Sequence, residues 1–149
     1  MLVFVASDHA GHHLRQSLLA HLSARGVEWI DLGPAAPERC DYPDFAAKVA
    51  HRVARGEGVG LLVCGTGVGM SMSANKIPGI RAAVVSDVFS ARATKQHNNA
   101  NVLCLGERVV GTGLAAAIVD AWLDAEFEGG RHAGRVAKLH ALETRSERS

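Results

Sequence analysis

Leu2-Val3-Phe4-Val5-Ala6 is an unbroken apolar run rich in strand formers, and behind it Leu14, Leu18, Leu19 and Leu22 recur on one helical face until Gly26. The pattern predicts a strand followed by a helix. Val27 to Leu32 alternates as a second strand, and after the Gly33-Pro34 turn Asp44 stands where it would cap a helix carrying Phe45, Val49 and Val53. Gly60 to Cys64 reads as a third strand, leading into a glycine-rich stretch, Gly65 to Gly69, and a helix that must end near Pro78. Arg81 to Ser86 is expected as a fourth strand, Asp87 to His97 as a helix, Val102 to Leu105 as a fifth strand and Leu114 to Leu123 as another helix. A last helix is expected from about Gly134, after Gly129-Gly130. The polar run Glu143 to Ser149 is expected to fray.

Five buried-looking strands alternating with helices indicate βαβ units. The expected fold is therefore α/β: a single Rossmann-like, three-layer domain over residues 1–149 with a five-stranded, mostly parallel sheet. At 149 residues, 48% hydrophobic and 21% charged, the chain has the composition of one globular core. A formal charge of +1 gives no footprint for nucleic acid or an anionic membrane, and 5% aromatics speaks against a base-stacking surface. The opening apolar run stops at Ser7-Asp8-His9, too short for a signal core or a membrane span, which predicts a cytoplasmic protein. Cys40, Cys64 and Cys104 are odd in number and form no CxxC pair, so reduced thiols are expected rather than disulfides or a zinc knuckle.

Ligands of open parallel sheets sit beyond the carboxyl ends of the strands, where this chain carries Asp8-His9, Cys64 to Gly69, Asp87 and Gly106-Glu107-Arg108. Cys64-Gly65-Thr66-Gly67-Val68-Gly69 places a thiol at a strand end, followed by glycines whose N–H groups can turn toward an anion. It is no Walker loop, since Gly-Lys-Ser/Thr is missing, and as a dinucleotide fingerprint it has Met70 where the last glycine belongs. Asp87 still stands about where a ribose-binding acid would. The residues alone leave open an oxyanion cradle, a nucleotide loop and a plain tight turn around a buried cysteine.

His9, His12 and His13 have helical spacing, but no HExxH frame supports a metal among them. The block Lys95 to Asn101 contains a His97-Asn98 pair suited to acid–base work or to an ordinary solvated loop. Arg131 and Arg135 are four residues apart, two forks on one face if the helix starts that early, and otherwise a solvated basic stripe.

Taken in order, Val5-Ala6-Ser7-Asp8-His9-Ala10-Gly11, Asp41-Tyr42-Pro43, Cys64 to Gly69, Ala74-Asn75-Lys76, Gly79-Ile80-Arg81-Ala82, His97-Asn98 with Asn101-Val102-Leu103, and Glu128 to His132 resemble the type B ribose-5-phosphate isomerases. The wider family includes galactose-6-phosphate isomerase subunits, and the likeness spans nearly the whole chain. Cys64, with Met70 at the end of the loop, is similar to the class that uses a cysteine rather than a glutamate as base. Asn99 departs from the aspartate of many relatives.

The resemblance implies an aldose–ketose isomerase without metal or cofactor, acting on ribose 5-phosphate and ribulose 5-phosphate through a cis-enediolate. It implies Cys64 as the C–H base with Thr66 beside it, and N–H groups of the Gly65, Gly67 and Gly69 loop on the enediolate. His97 would open the sugar ring, helped by Asp8. Asn98 and Tyr42 would meet sugar hydroxyls, and His9, Arg108, Arg131 and Arg135 the phosphate. It further implies a homodimer or dimer of dimers with sites built between subunits. The alternatives are an allose or galactose 6-phosphate isomerase and, from another class, a dinucleotide-binding protein.

Overall fold

The computed structural model describes residues 1–144. Its elements run β1 (Leu2–Ser7), a 3-10 turn (His9–Gly11), α1 (His12–Ala24), β2 (Glu28–Asp31), α2 (Tyr42–Ala54), β3 (Val59–Cys64), α3 (Val68–Ala74), β4 (Ala82–Val84), α4 (Val88–Gln96), β5 (Val102–Gly106), α5 (Thr112–Asp124) and α6 (Arg131–Thr144). All strand pairings are parallel and the sheet order is β2-β1-β3-β5-β4.

The apolar runs divide by alternation. Val3, Val5, Leu61, Val63, Leu103 and Leu105 pack on one face of the sheet against α1 and α5, with Trp122 fully enclosed there. Phe4, Ala6, Leu62, Cys64, Val102 and Cys104 pack on the other face against α2 and α3. Both faces are covered, which is why the strands read as continuous hydrophobic runs. At about 25 cal/mol per Å2 of apolar surface removed from water, these two layers supply the main force for the fold.

Several boundaries differ from expectation. Val27 to Leu32 shortens to β2 (Glu28–Asp31), an edge strand exposed at every residue, because an end strand has a neighbour on one side only. The fourth strand contracts to Ala82–Val84: the Arg81 N–H is taken by the Asn101 side chain. Asp41, not Asp44, stands at the N-cap of α2, and Pro43 lies in its first turn, where proline lacks no needed donor. Gly129 and Gly130 adopt positive φ of 65° and 53° and make the turn themselves, so α6 starts at Arg131 rather than Gly134. Glu143 and Thr144 are the last residues of that helix, not part of a frayed tail; residues 145–149, the rest of the expected tail, lie outside the described residues.

The chain leaves β1 outward to β2 and then crosses to β3 on the other side. That reversal opens a crevice beyond the carboxyl ends of β1 and β3, the place where such sheets receive ligands. Asp8 and Cys64 flank it.

Candidate active site

At the end of β1, the buried Asp8 accepts the N–H groups of Ala10 and Gly11 at 2.9 and 3.1 Å through one carboxylate oxygen, which caps the 3-10 turn. His9 Nδ1 accepts the Cys40 N–H at 3.3 Å. An accepting Nδ1 leaves the proton on Nε2, so the ring presents a donor on its far side. The fully buried Arg15 donates to Ser7 Oγ at 3.0 Å and so ties α1 to the strand end that carries Asp8.

At the end of β3, Cys64 is 4% exposed and its Sγ accepts the Gly67 N–H at 3.1 Å. The resemblance implies that the Gly67 N–H faces the enediolate oxyanion. The structure instead turns it onto the sulfur, because Gly67 sits at φ 80° as the cap of α3. Val68 N–H is likewise spent on Thr66 Oγ1 at 3.3 Å, which leaves the first-turn N–H of Gly69 as a free donor by helix geometry. Gly67 and Gly69 are glycines for different reasons. A Cβ at 67 would lie 2.9 Å from the Leu105 carbonyl carbon, and one at 69 would lie 2.7 Å from the Tyr42 ring. Tyr42 therefore closes over the loop from α2.

The third wall comes from the end of β5. Glu107 N–H donates to the Cys64 carbonyl at 2.9 Å and Arg108 N–H to that of Gly65 at 3.0 Å, and the Arg108 side chain runs beside Gly65. Glu107 also accepts the Leu14 N–H at 2.6 Å, so one side chain couples the start of α1 to the loop. Asp8, His9, Tyr42, Cys64, Thr66, Gly65, Gly67, Gly69 and Arg108 thus share one crevice. Cys104, one strand over, is fully buried, and burial with the nearby Cys64 charge pushes its thiol well above the ordinary range. It stays protonated. All three cysteines are free.

His97, Asn98, Arg131 and Arg135 lie elsewhere. Helix α4 carries the chain from the carboxyl ends of the strands back to their amino ends, as a parallel crossover must. His97 caps its C-terminus, just before Asn101 and Val102 meet Gly60. Cys64 pairs with Gly106, four residues further along, so at 3.3 Å per residue about 13 Å of strand separates the two levels. The expected site residues split into two groups at opposite edges of the sheet.

At the amino edge, His97, Asn98, His132, Arg135, Val136 and Leu139 line a cavity of about 270 Å3. The His97 and His132 rings stack at 4.4 Å between centroids and 14° between planes. Glu128 Oε1 lies 3.7 Å from Nε2 of each. Burial, then the His97 and Arg131 charges, hold His132 below the usual histidine range. Arg131 begins α6 beside this group, one turn from Arg135. Glu128 and His132 entered the sequence reading only as part of a motif. Their i, i+4 spacing was the available signal.

These three side chains are also the one His/Cys/Asp/Glu group among the described residues whose ligand atoms approach within 4.8 Å. Their arrangement does not suit an ion, since a metal lies in the plane of each imidazole it binds and two nearly parallel stacked planes share no such point. His9, His12 and His13 do not converge either. Asp87, weighed as a ribose ligand, caps α4 by accepting the Ser90 N–H at 2.6 Å, which holds its carboxyl below the usual range. Asn99 has φ 50°, a region asparagine and aspartate both tolerate, which accounts for the departure at that position. No helix among the described residues is long and apolar enough to cross a membrane.

Residues 3–139 match the ribose/galactose isomerase family. The Escherichia coli ribose-5-phosphate isomerase B is 55% identical over 93% of each chain. The structure of Clostridium thermocellum ribose-5-phosphate isomerase B superposes with a TM-score of 0.94 at 52% identity, covering 96% of this chain and 97% of that one. That of the Mycoplasma genitalium enzyme with bound ribulose-5-phosphate gives 0.94 at 43% identity, covering 97% of each. With the cysteine, the glycine loop and the His97 group set on one shared fold, this chain belongs to the ribose/galactose isomerase family.

Proposed function

We propose that this chain is one sugar-phosphate isomerase unit that interconverts ribose 5-phosphate and ribulose 5-phosphate as a homodimer or dimer of dimers in the cytoplasm. The observation that carries this reading is the Cys64 crevice: a sulfur held by Gly67 N–H at 3.1 Å, walled by Asp8, Tyr42 and Arg108, in a chain 43% identical to a structure holding ribulose-5-phosphate. The second group, at the opposite edge of the sheet, completes that crevice from another copy. A phosphate dianion needs the basic side chains that each group supplies in part: His9 and Arg108 on one copy, Arg131 and Arg135 on the other.

The furanose first opens. His97 gives a proton to the ring oxygen as the bond from that oxygen to C1 breaks, and the C1 hydroxyl proton passes to Asp8. The thiolate of Cys64 then takes the proton from C2, and the charge spreads over O1 and O2 as a cis-enediolate. The free loop N–H of Gly69 and the Thr66 hydroxyl face that charge, and fixed donors of this kind act where charge develops. The proton returns to C1 and the O2 proton moves to O1, leaving the ketose. Tyr42 and Asn98 orient the hydroxyls, and phosphate binding energy holds C1 and C2 at the sulfur. Cys64 gives back to C1 the proton it takes from C2, the proton left on Asp8 replaces through solvent the one His97 gives to the ring oxygen, and C1 and C2 change oxidation state only against each other, so no redox cofactor is consumed.

The test is an isomerisation assay on the purified chain with ribose, allose and galactose phosphates, run beside calorimetric titration with NAD. Ribose 5-phosphate is expected to have the largest kcat/KM, with no heat from NAD. A larger kcat/KM for a hexose 6-phosphate would move the assignment within the family. NAD binding without isomerisation would overturn it.

A further inference from the structure

Glu128 has no part in the scheme above, yet it sits where a proton-donating histidine would need an anion. Its N–H donates to the Gln96 carbonyl at 3.0 Å, which fixes the Glu128 loop against the end of α4 beside His97. Around His97 stand Glu128 from that loop and His132 and Arg135 from α6, while the Arg131 charge acts on His132. Lys95, on His97's own helix, is turned onto the Trp122 ring at 4.7 Å. The Glu128 carboxylate stands 3.7 Å from His97 Nε2, and Arg135 lines the same cavity.

The second contact is the stack. His132 is 7% exposed, so its ring is held by the packing around it, and its backbone N–H donates to the Gly129 carbonyl at 3.0 Å. The His97 side chain is 43% exposed and rests on that plane at 14°. A neutral ring offers its face to a cation, whereas two stacked imidazolium rings would repel.

We propose that Glu128 and His132 are positioning residues that hold the His97 ring in one plane with its Nε2 beside a carboxylate, ready to deliver a proton to the furanose oxygen. The inference rests on the ring-opening role given to His97 above. His132, neutral, is the flat support, and Glu128 supplies the charge.

Glu128→Gln keeps the shape and removes the charge. In the full-length protein the His97 ring is followed through its titration by NMR and identified by its loss in His97→Asn. Its midpoint is expected to fall, because the variant removes the anion beside Nε2. The alkaline limb of kcat for ribose 5-phosphate is expected to move down equally, lowering kcat above the midpoint. Glu128→Asp should recover most of the shift, and His132→Phe should recover much of the kcat that His132→Ala loses, because it restores a flat face. An unchanged midpoint and limb in Glu128→Gln, in an enzyme that isomerises ribose 5-phosphate, would overturn this inference alone. A wild-type chain inert toward ribose 5-phosphate, with the midpoint still shifting, would overturn the isomerase reading and the proton delivery with it.

Discussion

Cys64 and His97 lie at opposite edges of one sheet, about 13 Å apart in strand level alone, and a proton-transfer site requires both within hydrogen-bond reach of one sugar. Two copies related by a twofold can place His97 of one against Cys64 of the other. A mixed dimer of a Cys64→Ala chain and a His97→Asn chain, co-expressed with different tags and purified on both, tests this directly. One of its sites combines both substitutions, and the other combines the intact Cys64 of one chain with the intact His97 of the other. Two isologous sites per dimer therefore predict about half of the wild-type kcat per dimer, although each parent homodimer is defective at both sites. The assay is initial-rate conversion of ribose 5-phosphate at saturation, with KM expected to match the wild type because the restored site lacks nothing. Activity in the mixed dimer no higher than in the parents would refute the two-edge argument and require a rearrangement bringing His97 and Cys64 of one chain together.

Cys64→Ala should abolish exchange of the C2 proton while inorganic phosphate still binds, and Cys40→Ala and Cys104→Ala should remain active; near-normal turnover in Cys64→Ala would remove it as base. Arg135→Ala should raise KM by about 10- to 150-fold, the value of one charge-assisted hydrogen bond of roughly 1.5–3 kcal/mol, and weaken competition by inorganic phosphate; a normal KM would make it a solvated side chain. Gly65→Ala and Gly67→Ala should separate in denaturant melts. The nearest atoms to a Cβ at 65 are 3.7 Å away, whereas the positive φ and the Leu105 contact at 67 should cost about 1–3 kcal/mol. Equal stability of the two variants would refute that distinction.

The order of strands and helices was legible in the chain because each core strand is buried on both faces and α1, α2 and α5 carry apolar stripes at the helical period. The thiol before a glycine loop was legible too, since the sulfur and the turn that donates to it are contiguous: Cys64 and Gly67 are three residues apart. Expectation failed where a neighbour decides. Strand β2 is exposed because it is an edge, and edge position belongs to the sheet and not to the segment. The Gly67 N–H is spent on sulfur because the local φ turns it there. The grouping of His97 with Glu128, His132 and Arg135 spans 39 residues and depends on α4 and α6 ending and beginning at one edge. The sequence by itself determined the order of the elements, and it marked Cys64, His97 and the arginines as candidates on them. The tertiary structure decided which of them meet, because a parallel crossover sends the end of each strand and the end of the following helix to opposite edges of the sheet.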